Sequence, residues 1–376
     1  MKAYSKITSL LAIILFGTAA AAADQFLYLA SNRDRNIAGY AVDDETGALV
    51  KKFSVFLPGK PGPMAFSPDQ SFVYASLEDM DNDQVGMATL SRAGDGTLRL
   101  LITSAITSRS DYIRTDLKGR YLLAAHYFAG EVTVYRIVDG LCTDELLSQI
   151  KTARTAHSIE LDRSGRYVYV PHTSPNNVYQ FRFDEATGKL TANDPPFVDG
   201  PEKGHRYHAP RHYIHHPTLD MGYTSNESGG GITAWKFNPA DGTLTRVQTL
   251  STLPPNYQGR SASADIRLTP DGRFAYVSNR DDDRNRAEGV APRDTLAAIA
   301  LDPRTGAMKM IGTFPTVHFP RSFCIDLTGR FVYATGERSS NLFTYRIDQA
   351  TGQLEHIATY ETGGAPMWVM CGKLGR

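Results

Sequence analysis

The sequence predicts an all-β fold, a seven-bladed β-propeller, on three observations. A unit of about fifty residues recurs seven times, with the short apolar strands and turns of a propeller blade and no helical period. Nearly every unit carries a Gly-bearing hairpin turn at the same place. The C-terminal tail repeats the first strand of the unit, which the N-terminal unit lacks, so the ring is expected to close by pairing the tail into the first blade and leave no open edge.

The repeat is read by comparing Ala65–Ser76 (AFSPDQSFVYAS), Ile266–Ser278 (IRLTPDGRFAYVS) and Ile325–Ala334 (IDLTGRFVYA). Each is a strand end, a tight turn and a second strand. Aligned on the second strand, the anchors are Tyr28, Tyr74, Leu123, Tyr169, Tyr223, Tyr276 and Tyr333, spaced 46 to 57 residues apart. The hairpin markers are Thr46-Gly47-Ala48-Leu49, Asp95-Gly96-Thr97-Leu98, Thr187-Gly188-Lys189-Leu190, Asp241-Gly242-Thr243-Leu244, Thr305-Gly306-Ala307-Met308 and Thr351-Gly352-Gln353-Leu354. The third unit departs, with Leu123 as anchor and Asp139-Gly140-Leu141 as turn. The tail Ala365-Pro366-Met367-Trp368-Val369-Met370 matches the first strands Gly62-Pro63-Met64-Ala65-Phe66 and Pro320-Arg321-Ser322-Phe323-Cys324.

Residues 1–23 read as a cleavable signal peptide. Lys2 and Lys6 precede an apolar run from Ile7 to Phe16, followed by Ala21-Ala22-Ala23. That run is too short to span a bilayer, and no later stretch approaches the roughly twenty residues needed. The expectation is a periplasmic or secreted protein whose mature chain, residues 24–376, is the propeller, with no membrane span after cleavage. Cleavage would leave the balanced 40 basic and 40 acidic residues two charges negative, without the basic stripe of a nucleic-acid binder. Cys142, Cys324 and Cys371 lie far apart without Cys-x-x-Cys spacing and read as buried free thiols. A monomer is the expected state.

The repeat register also gathers a polar site. In a propeller the first strand lines the channel and the second runs antiparallel to it, so the start of one meets the end of the other. Twelve residues before the anchor lie His157, Arg211 and Arg321; one residue later come Tyr112, Ser158, His212 and Asp265. Four residues after the anchor stand Asn32, Glu78, Tyr127, Thr173, Glu227, Arg280 and Glu337, beside His126, His172, Asn226 and Asn279. A polar, wet channel mouth is ordinary in propellers. Arg and His where other repeats place Pro63, Ile113 or Met367 point instead to a ligand, because charge in such a position is costly unless used.

Other patterns carry less. His205, His208, His212, His215 and His216 resemble metal ligands, but they straddle an insertion, and strand alternation turns His215 and His216 to opposite faces. Asp281-Asp282-Asp283-Arg284-Asn285-Arg286 lacks EF-hand spacing and reads as a solvated loop. No nucleophile elbow, Walker loop or dinucleotide fingerprint is present. Neither metal nor cofactor is expected.

Ala156-His157-Ser158, Ala209-Pro210-Arg211-His212, Ser225-Asn226-Glu227, Ser263-Ala264-Asp265-Ile266, Pro320-Arg321-Ser322-Phe323 and Ala365-Pro366-Met367-Trp368-Val369 resemble the lactonase-type seven-bladed propellers. That family includes bacterial 6-phosphogluconolactonases and fungal carboxymuconate cyclases. The resemblance covers the whole mature chain. It implies an active-site set of His157, Arg211, Glu227 and Arg280; His212, Asn226, Asp265, Asn279 and Arg321, which the repeat register brings beside them, are expected to bind substrate. Insertions at residues 201–209 and after Arg280 fall where they would shape the rim.

The implied activity is metal-independent hydrolysis of a sugar-derived lactone. Such chemistry needs a base to activate water, Glu227 or His157, and positive donors for the oxyanion, Arg211 and Arg280. The same groups suit a carboxymuconate-type cycloisomerase, and a propeller can equally be a non-catalytic binding module. Export favours an unphosphorylated sugar lactone or an aromatic-catabolism lactone over a cytoplasmic phosphorylated metabolite.

Overall fold

The computed structural model describes residues 25–202, 207–282 and 293–374. The signal-peptide segment, His205 and Asp283–Arg286 lie outside the described residues. Among the described residues, twenty-eight strands are arranged as seven four-stranded antiparallel blades joined by turns and loops. The second strands, such as Gln25–Ser31 and Phe274–Asp281, are buried from end to end, because blades stack on both faces. This is why they read as continuous apolar runs. The outer strands, such as Leu49–Phe56, are largely exposed.

Ring closure follows the expectation. Pro366–Lys373 pairs antiparallel with Gln25–Ser31 and becomes the inner strand of blade one. Val369 is fully buried and Trp368 nearly so.

The two sequence markers are parts of one contact. The hydroxyl of Tyr28 donates to the Gly96 carbonyl of the next blade at 2.6 Å. Tyr74 does the same to Gly140, Tyr169 to Gly242, Tyr223 to Gly306 and Tyr276 to Gly352. Tyr333 donates to Gly47 and closes the circle onto blade one. Blade three, whose anchor is Leu123, uses Tyr121 to reach the Ala186 carbonyl instead. The turn glycine has positive φ, 74° at Gly47, which turns its carbonyl toward the neighbouring blade at little steric cost. Each blade thus recognises the next through a tyrosine and a turn.

The inner strands share one irregularity. In blade five the pairing slips between Pro210 and His212, which makes Arg211 the bulged residue. The same slip brackets Arg321 in blade seven, Ala264 and Asp265 in blade six, and Gly62 and Pro63 in blade two. A bulge breaks the alternation of a strand and re-aims a side chain, so consecutive residues can both turn toward the channel. Left-handed backbone precedes several of these starts, at Thr155, Ala209, Phe319 and Ala365. The last three stand immediately before proline, a costly arrangement of the kind concentrated at functional sites.

Candidate functional site

One end of the channel holds a narrow pocket lined among others by His157, Arg211, His212, Arg321, Asp111 and Trp368. Arg211 is only 1% exposed. The register had placed Arg211 at the channel mouth, and the bulge turns its side chain inward, away from solvent.

A chain of polar contacts crosses three blades. The Arg211 Nη1 donates to His212 Nε2 at 3.0 Å, so that nitrogen carries a lone pair and the imidazole proton sits on Nδ1. Nδ1 donates to Asp265 Oδ1 at 3.0 Å. Asp265 also accepts from Arg267 at 3.0 Å and from the Ile266 and Phe323 amides. Burial opposes charge on Asp265, but Arg267 and His212 overcome it and hold the carboxyl at about 2. Burial and the Arg211 charge push His212 down to about 3, so it is neutral.

On the other side, Glu227 Oε1 lies 3.4 Å from Arg211 Nε and accepts from Arg280 Nη2 at 2.6 Å. Burial raises the Glu227 pKa; Arg280 and Arg211 outweigh it and keep the group a carboxylate, below its ordinary range. Burial, together with Arg280 and Arg321, lowers Arg211 to about 9, still protonated at neutral pH. Three guanidiniums therefore converge near one shared carboxylate. Arg321 makes no hydrogen bond or ion pair among the described residues, although it lines the pocket.

His157 completes the wall. Its ring stands edge-on to Tyr127 at 5.3 Å and 5.2 Å from His212. Nδ1 is buried without a hydrogen-bond partner among the described residues. Burial, then the charges of Arg211 and Arg321, drives its pKa well below the usual value, so His157 is uncharged at neutral pH.

The other expected residues divide. His157, Arg211, His212 and Arg321 meet at the pocket, while Glu227 and Arg280 stand next to Arg211 outside its lining. Asp265 lies outside the lining and holds His212 by a hydrogen bond. The structure does not bring Asn226 and Asn279 to the pocket. Asn226 is bonded to Tyr207 O and to the hydroxyls of Thr224 and Thr233; Asn279 is bonded to Thr252, Ser263 and Thr295. Both amides tie strands together inside their blades.

Asp111 and Arg109 went unnoticed in the sequence. Asp111 occupies the position twelve before anchor Leu123, the register of His157 and Arg211, so the same alignment contained it. Arg109 bridges Asp111 and Glu78 at 3.2 and 3.0 Å, forming an acidic side of the pocket opposite the arginines.

The described histidines of the stretch are engaged in packing and hydrogen bonding. His215 packs among Tyr169, Tyr213 and Phe237, and His216 bonds to the Gly272 carbonyl. No group of three His, Cys, Asp or Glu with metal-binding geometry occurs among the described residues.

Buried neutral histidines make the fold acid-sensitive. His212 is held at about 3, and His172 and His215 at about 4, in each case first by burial. The unfolded chain binds their protons near 6.5, so stability is full above that pH and falls as pH drops toward 4. Each contributes up to about 1.4 kcal/mol per pH unit in that window. Thermal melting from pH 7.5 to 4 should show a steep loss of Tm beginning near pH 6.5; a flat profile down to pH 4.5 would contradict the buried, neutral assignment.

The comparisons with known proteins agree with this architecture. The family described as "Lactonase, 7-bladed beta-propeller" matches residues 26–371. A 6-phosphogluconolactonase of Serratia proteamaculans (strain 568) is 31% identical over 345 residues, covering 92% of this chain and 98% of that protein. One from Enterobacter sp. (strain 638) is 29% identical over 92% of this chain and 98% of its own. The structure of the Pseudomonas aeruginosa periplasmic gluconolactonase superposes with a TM-score of 0.81 at 22% identity, covering 93% of this chain and 99% of that one. Seven blades, a tail-closed ring and a match running from the first strand to the last lead to one conclusion: the chain belongs to the seven-bladed β-propeller lactonase family.

Proposed function

We propose that the protein is a lactone hydrolase acting on a sugar-derived lactone in the His157–Arg211 pocket, outside the cytoplasm. One observation carries this reading: an uncharged His157 shares a cavity with two guanidiniums, Arg211 Nη2 and Arg321, that no hydrogen bond engages among the described residues. A neutral base beside unspent positive donors is the arrangement that ester opening requires.

In this reading His157 takes a proton from water as its oxygen attacks the lactone carbonyl, and Arg211 holds the oxyanion that forms. Collapse expels the ring oxygen, which recovers the proton from His157, and the product is the open hydroxy acid. Glu227 fixes the Arg211 and Arg280 guanidiniums, and Asp265 fixes Arg211 through His212. Arg321 is placed to bind an anionic or hydroxyl-rich part of the substrate. The names of the relatives support a sugar-acid lactone.

Acid release tested over gluconolactone, its 6-phosphate and muconolactone should show turnover of a sugar lactone. Activity should survive exhaustive chelation, since the arginines supply the positive charge a Lewis acid would. Inactivity on all three would favour a binding propeller, and loss on chelation with recovery on adding a divalent cation would overturn the arginine mechanism. Export predicts a mature N-terminus near Asp24 in the exported fraction; N-terminal sequencing that finds Met1 there would exclude cleavage.

A further inference from the structure

The opposite end of the channel holds a second cavity of about 400 Å³, open to solvent, lined by the distal halves of the inner strands. Cys324 of blade seven and Cys371 of the closing strand both face it. They are 47 positions apart on two separate sheets, yet their sulfurs lie 3.3 Å from each other. Cys371 sits opposite Leu27 in the pairing that closes the ring, and Cys324 opposite Tyr333, whose hydroxyl reaches Gly47 across the same junction.

We propose that Cys324 and Cys371 form a disulfide that staples the ring at its seam. The step is a thiol–disulfide exchange. One cysteine thiolate attacks a low-molecular-weight disulfide and displaces one thiol. The second cysteine then attacks the mixed disulfide and displaces the other, so two protein thiols are oxidised and one external disulfide is reduced to two thiols. The sulfurs need approach by little more than 1 Å to reach bonding distance. The open cavity admits the small oxidant.

The third cysteine is an internal control. Cys142 is fully buried in the core between blades two and three, and burial pushes its thiol up to about 12, so it supplies no thiolate at ordinary pH. Cys371 is also held up, by its hydrogen bond to Cys324 and then by burial. Oxidation is therefore expected to be slow at pH 7 and faster at pH 8.5.

The location gives the bond a purpose. A propeller opens most readily where only strand pairing joins the two chain ends, here between Pro366–Lys373 and Gln25–Ser31. A link from the closing strand to blade seven shortens the free length of tail in the unfolded chain and resists peeling of that strand. The bond would form in an oxidising compartment and not in a reducing one.

The test uses reduced full-length protein incubated with oxidised glutathione, then denatured, alkylated and analysed by mass spectrometry. The expected product is about 2 Da lighter before alkylation and carries one alkylatable thiol, with a Cys324–Cys371 cross-linked peptide. Its Tm should exceed that of the reduced protein by roughly 5 °C. Cys324→Ser should instead stop at a glutathione adduct on Cys371, and Cys142→Ala should leave both the mass loss and the Tm shift unchanged. Three alkylatable thiols after prolonged oxidation, a cross-link through Cys142, or an undiminished mass loss in Cys324→Ser would overturn the proposal. Lactone hydrolysis plays no part in these readouts.

Discussion

Arg211→Ala should lower turnover about 10²- to 10³-fold, the loss typical when one preorganised oxyanion donor is removed. The residue is a donor with nothing else to do at Nη2: Nη1 is committed to His212 and Nε faces Glu227. Because Arg211 is fully buried, the alanine variant also leaves Glu227 short of one counter-charge and opens a void. Melting must therefore be measured on the same preparation, and a variant more than a few degrees less stable would blur the kinetic reading. Arg211→Lys separates the two effects. It keeps the positive charge beside Glu227 but cannot bond His212 and the substrate with one planar fork, so turnover should remain at least tenfold down with stability largely restored. Near-wild-type turnover in both variants would place the chemistry elsewhere on the propeller.

Glu227→Gln tests the neighbouring claim that this carboxylate works through the arginines. It removes the negative charge that Arg211 and Arg280 share and leaves three guanidiniums facing one another. The defect should appear in kcat rather than KM, and it should be smaller than that of His157→Ala if His157 is the base. The reverse order would transfer the role of base to Glu227.

The seven-fold repeat was legible because a stacked blade imposes a strict local grammar. Tyr28, Tyr74, Tyr169, Tyr223, Tyr276 and Tyr333 recur because each reaches a turn glycine in the next blade, a constraint written in single residues at fixed spacing. His157, Arg211 and Arg321 were legible for the same reason, as departures from what the register places there in other blades, whereas Glu227 shares its register with Glu78 and Glu337 and was singled out by the family resemblance. Burial of Arg211 was not legible, since it depends on a β-bulge that no periodicity announces. Asn226 and Asn279 share the register of the site but spend their hydrogen bonds inside the blade, and sequence spacing does not tell which way an amide is satisfied. The Cys324–Cys371 contact joins two blades through the ring closure, so no local pattern contains it.

Deleting Ala365–Arg376 should abolish cooperative folding. The deletion removes the inner strand of blade one, strips Gln25–Ser31 of its partner on one edge, and uncovers the buried side chains that Trp368 and Val369 touch. An eight-residue strand contributes several backbone hydrogen bonds at about 1 kcal/mol each net, and each fully buried large apolar side chain adds about 1.5–3 kcal/mol. The sum rivals the whole 5–15 kcal/mol by which folded proteins of this kind exceed their unfolded chains. The circularly permuted chain distinguishes a lost strand from a lost sequence. Lys373 pairs with Gln25, so the two ends of that hairpin are adjacent, and a connection as short as Asp326–Arg330 of blade seven joins the same two strand positions there. Moving Ala365–Lys373 ahead of Gln25 through such a turn should restore a soluble, cooperatively melting ring, whereas the simple deletion should aggregate or melt without a transition. A deletion variant that stays monomeric and melts sharply would mean that the seam is dispensable and that the six remaining complete blades hold the ring by themselves.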